Sequence, residues 1–340
     1  MDLIRFKWKR DPDNPVIRPG SGGAYNSTAC MTPVVVPRDG EYWLYYAGGD
    51  SENKRRVCLA IAPQDRPTEF KHVGPILDVG AQDEFDALWM VCPRPFLVDD
   101  TWYMIYTGLP STGWSRGLSR SIEGLGMAVS DDGLNWRKLG MNPTLTGDHF
   151  EEYPGNTSIG GGGPPLRVAD DDVTVTYRLY CSLPVGRPSD DLRVNQEKLA
   201  IVGHSTDGLQ WTDFRIVMRR RPEIPREDCA ANYPVVWRDG ELLRCLYCCI
   251  GTRWGAYSIA EAVSRDGYHW YRGEGGDDNL SIAPTEDDSW EGRMTCYPTV
   301  VREGGQLRVF YNGNGYGLSL IHISEPTRPL YISYAVFCLK

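Results

Sequence analysis

Carboxylates recur at one offset in this 340-residue chain. Asp86, Glu227 and Glu291 each stand seven residues before a proline (Pro93, Pro234 and Pro298), and Asn26 holds the same place before Pro33. A longer segment before Pro164 carries Asp148, His149, Glu151 and Glu152. Acids gathered around one cleft push each other's pKa values apart, leaving one protonated and one ionised. Such a pair can cleave a glycosidic bond: the acid protonates the leaving oxygen, and the carboxylate attacks the sugar or activates water. In that chemistry Glu291 or Glu152 is the acid and Asp86 or Glu227 the base. The same segments hold Trp89, Tyr233 and Tyr297, whose faces can stack on sugar rings. Asn26, Asn156, Asp228 and Arg293 can hydrogen-bond to hydroxyls, and Arg94, Arg293 and His149 could converge on an anion. Plainer roles exist for each. Loops are rich in acids, tyrosines beside prolines fill cores, and Arg293 can pair internally with Glu291 two residues away.

What would bring these residues together is a repeat. Segments such as TPVVVPRDGEYWLYYAGG and YPTVVREGGQLRVFYNG share a proline, an apolar run, a polar turn and a tyrosine-rich run. That pattern signals a β-hairpin. Thirteen residues separate Pro33 from Tyr46, Pro93 from Tyr106, Pro234 from Tyr247 and Pro298 from Tyr311. A divergent copy begins at Pro164. A third apolar run follows each hairpin, and in three cases it leads into Ser-x-Asp-Gly-x-x-Trp: Ser130 to Trp136, Ser205 to Trp211 and Ser264 to Trp270. Glycine there supplies positive φ, Asp bonds its own backbone, and Trp packs between units. Five units of four strands predict an all-β fold, a five-bladed β-propeller of four-stranded antiparallel blades. FKWKRDPDNPVIRPG reads as an outer strand, so the N-terminus is expected to complete the last blade and close the ring.

Composition narrows the partners. The net charge of −9 and two short basic knots, Lys54–Arg56 and Arg219–Arg221, give no nucleic-acid stripe. No apolar run reaches membrane-span length, and MDLIRFKWKRDPD lacks a signal-peptide core, so a cytoplasmic protein is expected. The ten cysteines show no disulfide rhythm, and Cys245-Leu-Tyr-Cys248 lacks a second ligand pair for zinc. Residues 318–340 break the pattern. They resemble sequencing-adapter read-through found at the ends of metagenomic sequences, and residues 1–317 are taken as the propeller.

The five units, the NPVI near the start, the Asp-Gly turns and the closing YNGNGYG resemble the five-bladed glycosidase superfamily, including glycoside hydrolase families 43, 32 and 130. The resemblance covers about residues 5 to 317 and implies a bacterial carbohydrate-active enzyme, a glycosidase without cofactor. Some relatives hold an axial metal ion. It also exposes a departure. Family 43 enzymes place a base Asp directly before the first-blade proline, where this chain has Thr32; the corresponding residues are Cys92, Gly163, Tyr233 and Tyr297. The phosphorylase Glu-Asp-Pro-Arg motif survives only as Cys92-Pro93-Arg94. Three readings follow: hydrolysis by displaced carboxylates, glycan binding without cleavage, and a glycoside phosphorylase or transferase.

Overall fold

The computed structural model describes the chain apart from residues 1–4, 111–123, 151, 154–157, 170–174, 186–196, 274, 276–278, 304, 318–320 and 327–340. The described residues are all β, with short 3-10 turns at Ala24–Asn26, Gly147–His149 and Asn314–Gly317. No helix among them is long and apolar enough to cross a membrane.

The strands fall into four-stranded antiparallel units. After β1 (Trp8–Arg10), the first unit is β2 (Ala29–Arg38), β3 (Glu41–Gly49), β4 (Arg55–Pro63) and β5 (Lys71–Leu77). The second is β6 (Trp89–Val98), β7 (Thr101–Leu109), β8 (Gly124–Ser130) and β9 (Arg137–Lys138). Next come β10 (Leu166–Ala169), β11 (Val175–Pro184), β12 (Lys198–Ser205) and β13 (Thr212–Met218). The fourth unit is β14 (Ala230–Asp239), β15 (Leu242–Ile250), β16 (Tyr257–Ser264) and β17 (Leu280–Ile282). The last is β18 (Cys296–Glu303), β19 (Gln306–Asn312) and β20 (Ile321–Pro326), with β1 as its outer strand. The first two units are joined by one parallel pairing, Arg55 opposite Trp89, into a single eight-stranded sheet. The hairpin pattern gave no sign of that link.

The N-terminal strand does sit in the last sheet: Trp8 lies opposite Pro326 and Arg10 opposite Ser324. Its partner β20 falls within the segment set aside in the sequence and takes the third-strand place beside β19. Strands β3, β8 and β16 are buried along nearly their whole length. Packing on both faces requires this, and it explains near-continuous apolar runs in place of alternation.

The Asp-Gly turns lock one unit onto the previous one. In the second unit Asp132 accepts backbone N–H bonds from Leu134 and Asn135, both at 2.8 Å, and Ser130 Oγ accepts that of Gly133 at 2.9 Å. Gly133, Gly208 and Gly267 have φ of 73°, 74° and 82°, open to glycine at least cost. Trp136 then meets Tyr45 of the first unit edge-on, and Trp270 meets Tyr180 of the third. The hydroxyls of Tyr45 and Tyr180 donate to the carbonyls of Gly133 and Gly267.

The turn carboxyls are all held below the usual range. At Asp132 the N–H groups of Asn135 and Leu134 do most of this. At Asp207 and Asp266 burial opposes it, and hydrogen bonds from the turn outweigh burial. A carboxyl whose folded pKa is depressed stabilises the fold above its unfolded value of about 4, and that contribution is lost as pH falls through the folded value. Replacing all three with Asn keeps an acceptor oxygen and removes the titration. Urea denaturation across pH should then show a shallower loss of stability between about pH 4 and pH 2 than in the parent. An unchanged acid limb would assign acid unfolding to other carboxylates.

Candidate functional site

Each of four inner strands is kinked at the same place. Register is lost between Met31 and Val34, Val91 and Arg94, Asn232 and Val235, and Cys296 and Thr299. The inserted residues are Thr32-Pro33, Cys92-Pro93, Tyr233-Pro234 and Tyr297-Pro298. The residue before each proline has positive φ, between 51° and 53°. Such φ values are uncommon outside glycine and rare for bulky residues, and a bulge of this kind re-aims a side chain. The freed N–H groups reach neighbouring units. Thr32 N–H donates to Asn312 Oδ1 at 2.8 Å, and Thr32 Oγ1 accepts from Cys92 N–H at 2.9 Å. Tyr233 N–H donates to Ser182 Oγ at 2.9 Å and Tyr297 N–H to Cys248 Sγ at 3.2 Å. Gly163 N–H reaches Pro234 O at 2.8 Å.

The re-aimed side chains meet in a central cluster. Met31, Val91, Cys92, Tyr233, Cys248, Tyr257 and Cys296 pack there, with Trp89 and Tyr297 against them. Tyr233 and Tyr297 lie 4.9 Å apart and Tyr297 and Tyr257 5.8 Å, ring centre to ring centre. Cations flank the rings. The Arg55 guanidinium stacks 3.7 Å over Trp89 and donates to Met31 Sδ. Burial lowers the Arg55 pKa, and the nearby Tyr297 phenol opposes that shift. Lys198 Nζ lies 2.9 Å from Tyr257 Oη. Arg94 is fully buried. None of the four re-aimed residues is a carboxylate.

The acids picked out in the sequence do occupy equivalent places, but each is bound within its own unit. Asp86 accepts from Tyr106 Oη at 2.9 Å and pairs with Lys138 of the outer strand at 2.8 Å. Glu227 accepts from Tyr247 Oη at 2.7 Å, pairs with Arg221 and lies 3.4 Å from Arg272. Glu291 accepts from Tyr311 Oη at 2.9 Å and pairs with Arg10 of β1 at 2.5 Å. The Glu291–Arg293 pair open from spacing is replaced by this one. Burial raises the Glu291 pKa despite Arg10. Asn26 repeats the scheme with Tyr46 Oη at 3.4 Å, which His72 meets at 3.0 Å. No hydrogen bond or ion pair joins two of these acids among the described residues. Glu152 is exposed and pairs with Arg219 at 2.6 Å. Asp228 staples a loop through the Thr252 N–H and hydroxyl, both at 2.8 Å. Glu151, Asn156 and the His149 side chain lie outside the described residues.

A cleft of about 1170 Å³ opens between the β15–β16 loop and the segment leading into β18. Its walls include Arg253, Trp254, Glu286, Asp287 and Arg293, and its inner wall, Ala256 and Met294, is continuous with the central cluster. Trp254 Nε1 donates to Glu286 at 3.0 Å, and Arg253 stacks on Trp254 at 4.5 Å. The Asp287 carboxyl is held at about 2 by Ser289 and Thr285. Among these only Arg293 stood out in the sequence. The others follow no repeat, although a Trp beside an Arg in a loop after an inner strand was a usable signal.

This is the propeller-type fold of glycoside hydrolases. A glycosyl hydrolase from Bacteroides ovatus superposes with a TM-score of 0.68 at 18% identity, covering 96% of each chain. A protein described with the GH130 mannoside phosphorylases, among glycoside hydrolases that target β-1,2 mannosidic linkages, gives 0.67 at 18% identity, over 97% of this chain and 96% of its own. The uncharacterized protein Rv1502 of Mycobacterium tuberculosis is 27% identical over 291 residues, 81% of this chain and 84% of its own. No protein-family profile matches.

The contrast between acids is testable. Glu227→Ala leaves Arg226, 1% exposed, and Tyr247 without their carboxylate, and breaking a buried pair costs about 3–5 kcal/mol. Glu152→Ala, at an exposed pair, should cost about 0–1 kcal/mol. Denaturant midpoints of the two variants check this; equal costs would show that Glu227 is not structurally committed.

Proposed function

We propose that this chain is a carbohydrate-active protein, a five-bladed propeller closed by β1, which takes a glycoside into the cleft beside its fourth and fifth units. Three observations support closure: five four-stranded units, β1 paired in the last of them, and inter-unit bonds that pass through Asn312, Thr32 and Cys92. Fold likeness alone does not carry function. What carries the reading is the cleft, where an indole face, two guanidiniums and three consecutive carboxyl residues, Glu286 to Asp288, stand around an inner wall of Ala256 and Met294 that packs against the central cluster. Aromatic faces and bidentate polar groups are what sugar rings and hydroxyls require. Recognition is the activity this geometry supports best, because the re-aimed residues offer no acid pair.

Hydrolysis is the second reading, favoured by one observation. Burial raises the Glu291 pKa, the property of a general acid, and its neighbours Gly292 and Arg293 line the cleft. In that reading Asp86 or Glu227 supplies the base.

A panel of oligosaccharides and aryl glycosides, assayed for binding and turnover, tests both. Trp254→Ala should weaken binding about tenfold or more without loss of fold. Affinity unchanged by that substitution would remove the cleft from consideration. Turnover by the wild type would establish hydrolysis; its loss in Glu291→Gln and Asp86→Asn variants that keep the wild-type melting temperature would assign these acids, and turnover retained in both would refute that assignment.

A further inference from the structure

Arg94 is the anomaly of the core. It is 0% exposed, and its Nε, Nη1 and Nη2 have no hydrogen-bond partner among the described residues. A buried guanidinium without partners loses hydration that nothing replaces, at a cost of several kcal/mol. Two other buried atoms accompany it: Oγ1 of Thr107, which has no partner among the described residues, and the hydroxyl of Tyr233, which has only the weakly accepting Cys92 thiol beside it. The three belong together. The Arg94 charge acts on the Tyr233 phenol and the Cys181 thiol, holding both lower than burial alone would. Thr107 precedes Gly108 on β7 at the place that Ser182 and Asn312 hold in their own units, where those side chains bond the next bulge. The next unit presents Gly160–Gly163 instead, all buried, and a Cβ on Gly161 would strike Cys92 Sγ and the Tyr233 ring.

The cationic character extends beyond Arg94. The Tyr233 ring contacts Tyr297, on which the Arg55 charge acts, and Tyr297 contacts Tyr257, which Lys198 approaches. Arg55 has no carboxylate partner among the described residues. The cleft wall reaches this same cluster through Ala256 and Met294.

We propose that Arg94, with the Tyr233 hydroxyl, is an oxyanion-binding site at the floor of the central cluster, and that Arg55 and Lys198 make its approach cationic. A guanidinium matches carboxylate and phosphate oxygens through paired N–H donors, and a phenol adds a third donor. The ligand class is therefore a carboxylate or phosphate group, carried by an acidic sugar or taken as free phosphate. Only the acidic-sugar source rests on the carbohydrate reading above.

The test uses the full chain in low-salt buffer without oxyanions. Thermal denaturation and calorimetric titration are run with sodium phosphate, sodium glucuronate and glucose, at matched ionic strength. Wild type should gain about 2–4 °C at saturating phosphate or glucuronate and nothing from glucose. Arg94→Met should melt higher than wild type in oxyanion-free buffer, since an unpaired buried charge is gone, and should lose the ligand response. Tyr233→Phe should weaken the oxyanion about tenfold. If Arg94→Met fails to fold, Tyr233→Phe decides. A response to glucuronate alone identifies the acidic sugar, and a response to phosphate alone the free anion. The proposal is overturned if wild type responds to no oxyanion, if Arg94→Met melts lower with its response intact, or if Tyr233→Phe binds unchanged. An oxyanion response without binding of any oligosaccharide, neutral or acidic, would retain this site and remove the carbohydrate reading.

Discussion

A carboxylate inside a β-sheet unit must be matched by donors, and this fold meets that requirement the same way in three units and with an amide in a fourth. An acid before the inner hairpin accepts a tyrosine hydroxyl from the hairpin's second strand and faces a cation from outside the hairpin, on an outer strand for Asp86 and Glu291 and on a connection for Glu227. Asp86 and Tyr106, Glu227 and Tyr247, and Glu291 and Tyr311 are each 20 residues apart, as are Asn26 and Tyr46. One contact thereby fixes the loop, the hairpin and the edge of the sheet together. In the last unit the cation is Arg10, so the same requirement draws the N-terminal strand against residues some 280 positions away. Breaking such a pair costs more than forming it gains, because an unpaired buried charge remains. These acids therefore act as cross-braces whose loss the sheet feels directly.

With those carboxylates turned into their sheets, the centre of the molecule is left to the residues before the prolines. Here position and residue type diverge from what acid–base cleavage needs. The bulges create four strained backbone positions that aim side chains at one another, a device of the sort that clusters at ligand sites. The chain fills those positions with Thr32, Cys92, Tyr233 and Tyr297. Burial pushes the Tyr233 phenol well above its ordinary value, with Arg94 opposing only part of the shift, so it stays a neutral hydrogen-bond donor across physiological pH. The buried thiols of Cys248 and Cys296 are likewise pushed up, which makes them packing groups with little nucleophilic character. The centre is thus neutral and aromatic, with the Arg55 and Lys198 cations at its edge.

Much of this architecture was legible in the residues. The Pro-to-Tyr spacing located the inner hairpins, the Asp-Gly-x-x-Trp turns located the joints between third and outer strands, and the likeness of FKWKRDPDNPVIRPG to an outer strand placed β1. The equivalence of Asp86, Glu227 and Glu291 was legible too, but their direction was not. Seven residues to the proline and thirteen more to the tyrosine give the 20-residue pairing, and the two offsets stood side by side without being added. The cations were harder. Lys138 and Arg10 come from strands, and Arg221 from the connection between β13 and β14, and their sequences carry no shared mark, so only the folded structure brings them in. The cleft residues Arg253, Trp254 and Glu286 lie in connections outside the repeat, where periodicity is silent.

Arg94 shows where local rules and global arrangement part company. On β6 it follows Pro93 in the bulge, the place held by Val34, Val235 and Thr299 in the other kinked strands. Those residues are all buried, two of them aliphatic, so the backbone neither requires nor favours a charge there. A leucine or methionine would satisfy packing and avoid desolvating a guanidinium. The next unit, moreover, packs Gly161 against Cys92 and Tyr233, where a side chain of its own would not fit. Stability alone would not select such a combination. Among the described residues a buried cation and a nearby threonine hydroxyl have no hydrogen-bond partner, and these are the groups that the proposed oxyanion would satisfy.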